Sequence, residues 1–442
     1  MIHFFEILNK KYIIDVNSGI VHEVDVLVYD IIKEDAYKKR EKLNTIYDKY
    51  SKQLVDECIV ELSNLEEKNL LYTEDKSITP KIEPTLKSMC LNIAHDCNLL
   101  CEYCFASKGD FGGNKELMSF QTGKKALDYL VENSHGRKNL EVDFFGGEPL
   151  MNFQVVKDLV EYGRKIEKEN SKNFRFTITT NGMLLDEENM DYINKNFQNV
   201  VLSLDGRKEI NDKMRLDKAN KGTYDKIVPK FKNLVEERKG KDYFIRGTFT
   251  RENLDFTEDV KIIRNLGFDI ISMEPVVTDE KNEFSINKEH VENVKKEYEK
   301  LCKYYIDKKN EGQGFNFFHF EIDLEGGPCI YKKISGCGAG NEYIAVAPSG
   351  NIYPCHQFVG EEDFIIGNVK EGITDKEIPN AMYNSNITTK EKCKDCWAKY
   401  FCGGGCHANA YNFNNSFMEP YEVGCELEKK RIECAIRIKS EE

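Results

Sequence analysis

Between residues 86 and 310, six short apolar segments alternate with amphipathic stretches, and this alternation constrains the fold more than any other feature. The strand candidates are Ser88–Ala94, Leu140–Phe145, Phe174–Thr180, Val200–Leu204, Phe244–Thr250 and Ile270–Glu274. Thr122–Asn133, Gln154–Lys168, Glu187–Asn196, Tyr224–Glu237 and Phe256–Asn265 lie between them with apolar residues at helical spacing. Parallel neighbours need a crossover, and such crossovers are right-handed, so the pattern predicts an α/β fold with a parallel sheet. Six units predict a partial (β/α)6 TIM-like barrel, with Lys288–Lys309 as a helix leading out of it. Barrels of this kind keep their chemistry at the C-terminal ends of the strands.

The first such strand end carries a cluster of thiols. The run His95-Asp96-Cys97-Asn98-Leu99-Leu100-Cys101-Glu102-Tyr103-Cys104 is a Cys-x3-Cys-x2-Cys loop. Cubane [4Fe–4S] clusters are normally held by four thiolates. Three ligands with no fourth nearby leave one iron open to a small chelating substrate. A structural zinc knot is the competing reading, although zinc sites usually pair two short Cys knuckles and this loop has no such partner close by.

With Tyr103 before the third cysteine, the loop resembles the signature of the radical S-adenosylmethionine (SAM) enzymes. The resemblance implies that Cys97, Cys101 and Cys104 hold a [4Fe–4S] cluster whose open iron is chelated by SAM. Reduction would then split the sulfonium to give a 5′-deoxyadenosyl radical. Tyr103 and Phe105 flank the third thiol and fall in the implied cofactor-binding set. Gly146, Gly147 and Glu148 close the second strand, where two glycines let the backbone approach a ligand. By resemblance this segment contacts the methionine amino group. Thr180, Ser203 and Asp205 end the third and fourth strands. The resemblance places Ser203 on SAM and gives Arg215 its carboxylate, a task suited to a two-pronged guanidinium. Ordinary turn capping is an equally open role for Thr180 and Asp205.

The C-terminal third is rich in cysteine. The spacing is Cys329-x7-Cys337-x17-Cys355, then Cys393-x2-Cys396-x5-Cys402-x3-Cys406-x18-Cys425. This resembles the SPASM extension of radical SAM enzymes that act on peptides and proteins, which implies two auxiliary [4Fe–4S] clusters and three in all. By resemblance Cys329, Cys337, Cys355 and Cys406 hold the inner cluster, and Cys393, Cys396, Cys402 and Cys425 the outer one. Zinc at Cys393, Cys396, Cys402 and Cys406 is the rival. Cys58, Cys90, Cys302 and Cys434 read as buried, inert thiols. His356 and His407 follow Cys355 and Cys406 and receive no role.

Residues 1–80 read as a separate small domain: strands Phe4–Leu8, Lys11–Asp15 and Ile20–Val24, helices Val26–Lys33, Arg40–Tyr50 and Gln53–Lys68, then a short strand Leu70–Tyr72. Pro80 and Pro84 mark a linker. The order resembles the winged-helix-like recognition domains of enzymes that modify ribosomally made peptides; a structural cap is the alternative. The expected organisation is thus 1–80 recognition, 86–310 barrel and 311–442 SPASM.

Composition bounds the rest. A net charge of −13, from 63 basic and 76 acidic side chains, argues against general nucleic-acid binding. No apolar run reaches the roughly 20 residues needed to span a bilayer, and the N-terminus lacks the pattern of a signal peptide. Fifteen cysteines then point to metal or redox work in a reducing cytoplasm rather than to disulfides.

Over essentially the whole chain the resemblance is to the maturases of SCIFF peptides (ranthipeptides). It implies thioether formation in a Cys-rich precursor peptide whose leader binds the N-terminal domain, with flavodoxin or ferredoxin as reductant. A sulfatase maturase that makes formylglycine, and a non-catalytic electron-transfer scaffold, are the alternatives. The sequence identifies no catalytic base for a substrate thiol.

Overall fold

The structure is a computed structural model that describes residues 1–75, 84–324 and 334–441. Cys329, and Pro80 of the linker, lie outside the described residues.

Three antiparallel strands open the chain, β1 (Ile2–Ile7), β2 (Lys10–Asp15) and β3 (Ile20–Val24). The β1–β2 register sets Phe5 opposite Tyr12, and their rings stack at 5.1 Å. Helices α1 (Val26–Lys33), α2 (Leu43–Tyr47) and α3 (Lys52–Glu67) come next. Asp25 and Ser51 cap α1 and α3 by accepting from the Val28 and Leu54 N–H groups, which would otherwise lack partners. Two expectations fail here. The helix expected over 40–50 is a 3-10 turn, Arg40–Lys42, followed by α2. Leu70–Tyr72 is not a strand, because Asn69 and Tyr72 take φ of 56° and 55°, which an extended chain cannot contain.

The barrel runs β4 (Ser88–His95), α4 (Phe120–Asn133), β5 (Asn139–Gly146), α5 (Phe153–Glu169), β6 (Asn173–Thr180), α6 (Glu187–Asn196), β7 (Asn199–Ser203), α7 (Lys208–Met214), α8 (Tyr224–Arg238), β8 (Phe244–Phe249), α9 (Thr257–Asn265), β9 (Ile270–Pro275) and α10 (Val291–Asn310). Strands β4 to β9 pair in parallel in chain order, as the alternation of elements predicts. Leu140, Val142 and Phe144 of β5, like Phe174, Phe176 and Ile178 of β6, are fully buried under the helices. Each such side chain contributes about 1.5–3 kcal/mol of burial. The alternate positions, Asp143, Thr177, Thr179, Arg246, Thr248, Ser272 and Glu274, face the other way. The lumen is accordingly polar.

The C-terminal region continues the barrel sheet. After β10 (Asn316–Phe317) on the β9 edge, β11 (Tyr343–Val346) pairs in parallel with β4 on the opposite edge. β12 (Asn351–Tyr353), β13 (Gly367–Asn368) and β14 (Gly372–Ile373) extend it antiparallel. Among the described residues five helices complete the region, α11 (Glu377–Asn384), α12 (Glu391–Lys394), α13 (Lys399–Cys402), α14 (His407–Asn414) and α15 (Glu422–Lys439). Cys302 of α10 and Cys434 of α15 are buried where these two helices meet. Cys90 is buried as well, whereas Cys58 is half-buried.

The N-terminal sheet rests on this region. His3 stacks on Trp397 at 3.9 Å and bonds Glu433 of α15 at 3.3 Å. Tyr12 bonds Ser440 at 2.6 Å, and Val16 packs with Cys393 and Tyr400. Among the described residues no helix is long and apolar enough to cross a membrane.

Candidate active site and thiol sets

The three-thiol loop is fixed from two sides. Asp96 Oδ1 accepts the Cys97 N–H at 2.9 Å. Leu100 N–H then donates to Leu216 O at 2.7 Å and Glu102 N–H to Met214 O at 3.0 Å. Arg215 is thereby delivered to the thiols by backbone bonds on both sides of it. From the second strand end, Gly147 N–H donates to Ala94 O at 2.8 Å and Glu148 N–H to Asp96 O at 3.0 Å. A Cβ on Gly147 would lie 2.2 Å from Asp96 O, so packing against the thiol loop already requires glycine here, whatever ligand binds.

A cavity of about 160 Å³ opens at these strand ends. Cys97, Cys101 and Cys104 line it, together with Tyr103, Phe105, Gly146, Gly147, Glu148, Thr180, Ser203 and Arg215. Asp205 is fully buried and does not line it. Its carboxylate instead takes four donors: Tyr103 O–H at 2.6 Å, Arg215 Nε and Nη2 at 3.0 Å each, and Thr248 N–H at 3.0 Å. Burial opposes the Arg215 charge, but Asp205 and then Tyr103 hold its pKa above the usual value. Glu148 accepts from Thr180 Oγ1 and Asn181 N–H at 2.8 Å and from Leu150 N–H at 3.0 Å, while burial pushes its carboxyl up to about 7.

Several lining residues were not foreseen: Arg246 and Glu274, paired at 2.8 Å, then Thr248, Val276, Val277 and Gln357. The signal for Arg246, Thr248 and Glu274 was present in the period-2 alternation of polar residues along otherwise apolar strands. Gln357 carries no such signal, since it reaches the cavity from the C-terminal region beside Cys355. His356 lies tilted against Phe145, with ring centroids 5.6 Å apart, and bonds Tyr343 at 2.8 Å.

The donor chemistry fits metal clusters. Burial pushes the Cys97 and Cys101 thiols up to about 12 and raises Cys104. Thiols so placed ionise near neutral pH only when a metal replaces the proton. Cys393, Cys396, Cys402 and Cys425 ring a second cavity, of about 400 Å³. Cys337, Cys355 and Cys406 form the third group, in which burial and then charge on Cys406 and Cys337 raise the Cys355 thiol. Among the described residues no three His, Cys, Asp or Glu side chains converge tightly enough to share one metal ion. The first two sets each line a cavity, which suits a multi-atom iron–sulfur cluster. Both side-chain polar atoms of Asn92, on the lumen side of β4, are buried without a partner, a further mark of a site built for a guest.

Comparison with known proteins agrees with this geometry. Residues 91–245 match the radical SAM superfamily, and residues 337–397 match SPASM, an iron–sulfur cluster-binding domain. The chain is 26% identical over 385 residues to a cysteine-type anaerobic sulfatase-maturating enzyme of Clostridium novyi, covering 81% of this chain and 95% of the relative. It is 21% identical over 430 residues to the radical SAM cyclopropyl synthase TigE of Paramaledivibacter caminithermalis, covering 92% of this chain and 85% of that one. The crystal structure of Streptococcus suis SuiB bound to precursor peptide SuiA shares the fold, with TM-score 0.56 and 18% identity over 96% of this chain and 98% of that one.

Proposed function

Because the chain belongs to the radical SAM superfamily and carries a SPASM extension, we propose that it is a cytoplasmic maturase of the SCIFF (ranthipeptide) type. It joins a cysteine sulfur to a carbon of an acceptor residue within a Cys-rich, ribosomally made precursor peptide. The observation that carries this reading is the cavity in which three thiols, polar strand ends and Gln357 of the cluster-rich region meet.

Cys97, Cys101 and Cys104 would hold the [4Fe–4S] cluster on which SAM would supply a 5′-deoxyadenosyl radical, and the C-terminal thiols would hold two auxiliary clusters, one of which would take up the electron that thioether formation releases. The inner one belongs to Cys337, Cys355 and Cys406, with Cys329 as fourth ligand; the outer one belongs to Cys393, Cys396, Cys402 and Cys425. Arg215 has its Nε and Nη2 committed to Asp205, which leaves Nη1 for the SAM carboxylate. Tyr103 and Asp205 hold that guanidinium in place, while Thr180 and Glu148 shape the wall beside the methionine end. Ser203 takes a polar group of SAM, and Phe105 and Phe145 keep water from the reacting carbon.

The N-terminal domain binds the leader. A groove of about 290 Å³ runs between β3 and α3, lined by His22, Val24, Cys58, Leu62 and Leu65. β3 pairs with β2 alone among the described strands, so its other edge can accept a peptide strand. A reduced flavodoxin or ferredoxin delivers the electron that starts the cycle.

The test is anaerobic co-expression with short Cys-rich peptides, followed by mass spectrometry. The expected product loses two hydrogens per crosslink and resists thiol alkylation at the linked cysteine. Sulfatase maturation is the second reading, supported by the likeness to the Clostridium novyi enzyme. Formylglycine in a sulfatase peptide, with no leader binding to residues 1–75, would favour it.

A further inference from the structure

Thioether formation leaves one proton to be placed, the proton of the substrate thiol. We propose that the Asp143 carboxylate, reached through the Thr179 hydroxyl, receives it. This rests on the thioether reading above and adds the residue that reading lacks.

Asp143 faces the lumen of β5, opposite Cys90 of β4 and Thr177 of β6. Thr179 lines the reaction cavity, and its Oγ1 donates to Asp143 Oδ1 at 3.4 Å. A hydroxyl is both donor and acceptor, so Thr179 can take a proton from the cavity while passing its own inward. The other carboxylates around the cavity are committed. Glu148 has three donors, Asp205 has four, and Glu274 is paired with Arg246 and held down at about 2. Glu274, held that firmly ionised, is a poor acceptor.

Glu148, which burial also pushes up to about 7, is held by those three donors, whereas among the described residues Asp143 accepts from Thr179 alone. Burial pushes it up to about 7, against the Thr179 hydrogen bond and the more distant Arg246 charge. The titratable and charged groups around it are Cys90 of β4, Arg246 of β8 and Tyr343 of β11. An acceptor works best when its pKa lies near the working pH. One lumen position nearer the mouth on β4, Asn92 presents a buried amide with neither atom partnered, polar space that suits a water beside the route.

The step balances. The substrate S–H bond breaks, its proton goes to Thr179 Oγ1, and the Thr179 proton goes to Asp143 Oδ1. A sulfur electron pair forms the C–S bond at the carbon that has lost its hydrogen atom to the 5′-deoxyadenosyl radical. The surplus electron passes to an oxidised auxiliary cluster of the proposed reaction.

The experiment measures peptide crosslinking by the reconstituted enzyme in single turnovers from about pH 5.5 to about 8.5, limits that bracket a group titrating at about 7. 5′-Deoxyadenosine is measured in parallel. Ionised Asp143 is the active form, so the wild-type rate should rise about tenfold per pH unit below about 7 and level off above it. Asp143→Asn should lose that limb and lower crosslinks formed per 5′-deoxyadenosine by about 100-fold. Thr179→Val should do the same, and Asp143→Glu should restore part of the yield. An Asn variant that keeps the limb and the yield overturns the proposal. So does one whose 5′-deoxyadenosine falls as far as its crosslinks, which is the mark of a structural role. Infrared pH-difference spectra of the same proteins give a reading independent of turnover. A protonated-carboxyl band titrating at about 7 should come from Asp143 and Glu148 together in the wild type and lose its Asp143 share in Asp143→Asn; a band unchanged by that substitution overturns the proposal. Should the wild type crosslink no peptide while the Asp143 share is present, the thioether reading fails and the titrating carboxyl stands.

Discussion

Replacing Asp205 with Asn should unlatch the three-thiol loop without touching a thiol. The carboxylate is fully buried, and Arg215 is only 8% exposed. Each carboxylate oxygen takes one Arg215 N–H, with Thr248 N–H on Oδ1 and Tyr103 O–H on Oδ2. Whichever oxygen becomes NH2, a guanidinium donor then faces another donor, and the arginine loses its counter-charge. Breaking a buried pair from one side costs about 3–5 kcal/mol. Because Leu100 and Glu102 donate to Leu216 and Met214 on either side of Arg215, that cost should appear as local opening of the loop. Amide hydrogen exchange of the peptide spanning residues 98–104, in anaerobic apo protein, should speed up by roughly 100- to 1,000-fold, the equivalent of about 3–4 kcal/mol. Arg215→Met alone should do likewise. Asp205→Leu combined with Arg215→Met should open the loop much less than the two effects added, since neither charge is then stranded. Unchanged exchange in Asp205→Asn, or simple additivity in the double variant, would refute the latch.

Other perturbations have equally definite outcomes. Trp397→Ala removes the ring on which His3 stacks, so residues 1–75 should become protease-sensitive and leader affinity should drop while iron content holds; equal protease resistance would contradict the docking. Gly147→Ala places a Cβ 2.2 Å from Asp96 O, so the first cluster should assemble poorly, read as a loss of about four irons of the roughly twelve expected per chain. Burial, and then Arg431, lower the His319 pKa to about 3, below the ordinary value of about 6.5. Its contribution to stability is therefore present above pH about 6.5 and lost as pH falls towards 3, with a slope of up to about 1.4 kcal/mol per pH unit. His319→Asn should flatten that part of the acid-stability curve; an unchanged curve would show that His319 does not set it.

Much of this was legible before the structure. The six parallel strands arise from the alternation of short β-rich and helical segments, each strong enough to be read locally. The thiol loop stood out because Cys97, Cys101 and Cys104 are close in sequence. What stayed hidden depends on contacts between distant segments. Tyr343–Val346 is four residues long and gives no sign that it pairs with β4, which makes the C-terminal region continuous with the barrel sheet. Arg215 reads as a SAM contact and Asp205 as either a cofactor contact or a turn cap, yet each is the other's partner, and no spacing rule reveals a pair bridged by a helix and a turn. Leu70–Tyr72 has strand composition, but left-handed residues at 69 and 72 override it.

The central claim is that the cavity at Cys97, Cys101 and Cys104 holds a cluster with one iron open to SAM. Its most direct test is the electron paramagnetic resonance spectrum of reduced protein whose eight C-terminal cysteines, Cys329 to Cys425, are replaced by Ala, recorded with and without SAM. A single [4Fe–4S]⁺ signal that changes on SAM addition, with 5′-deoxyadenosine formed on turnover, is the predicted result. A signal indifferent to SAM, or a protein that binds zinc at these thiols and gives no signal, would contradict it.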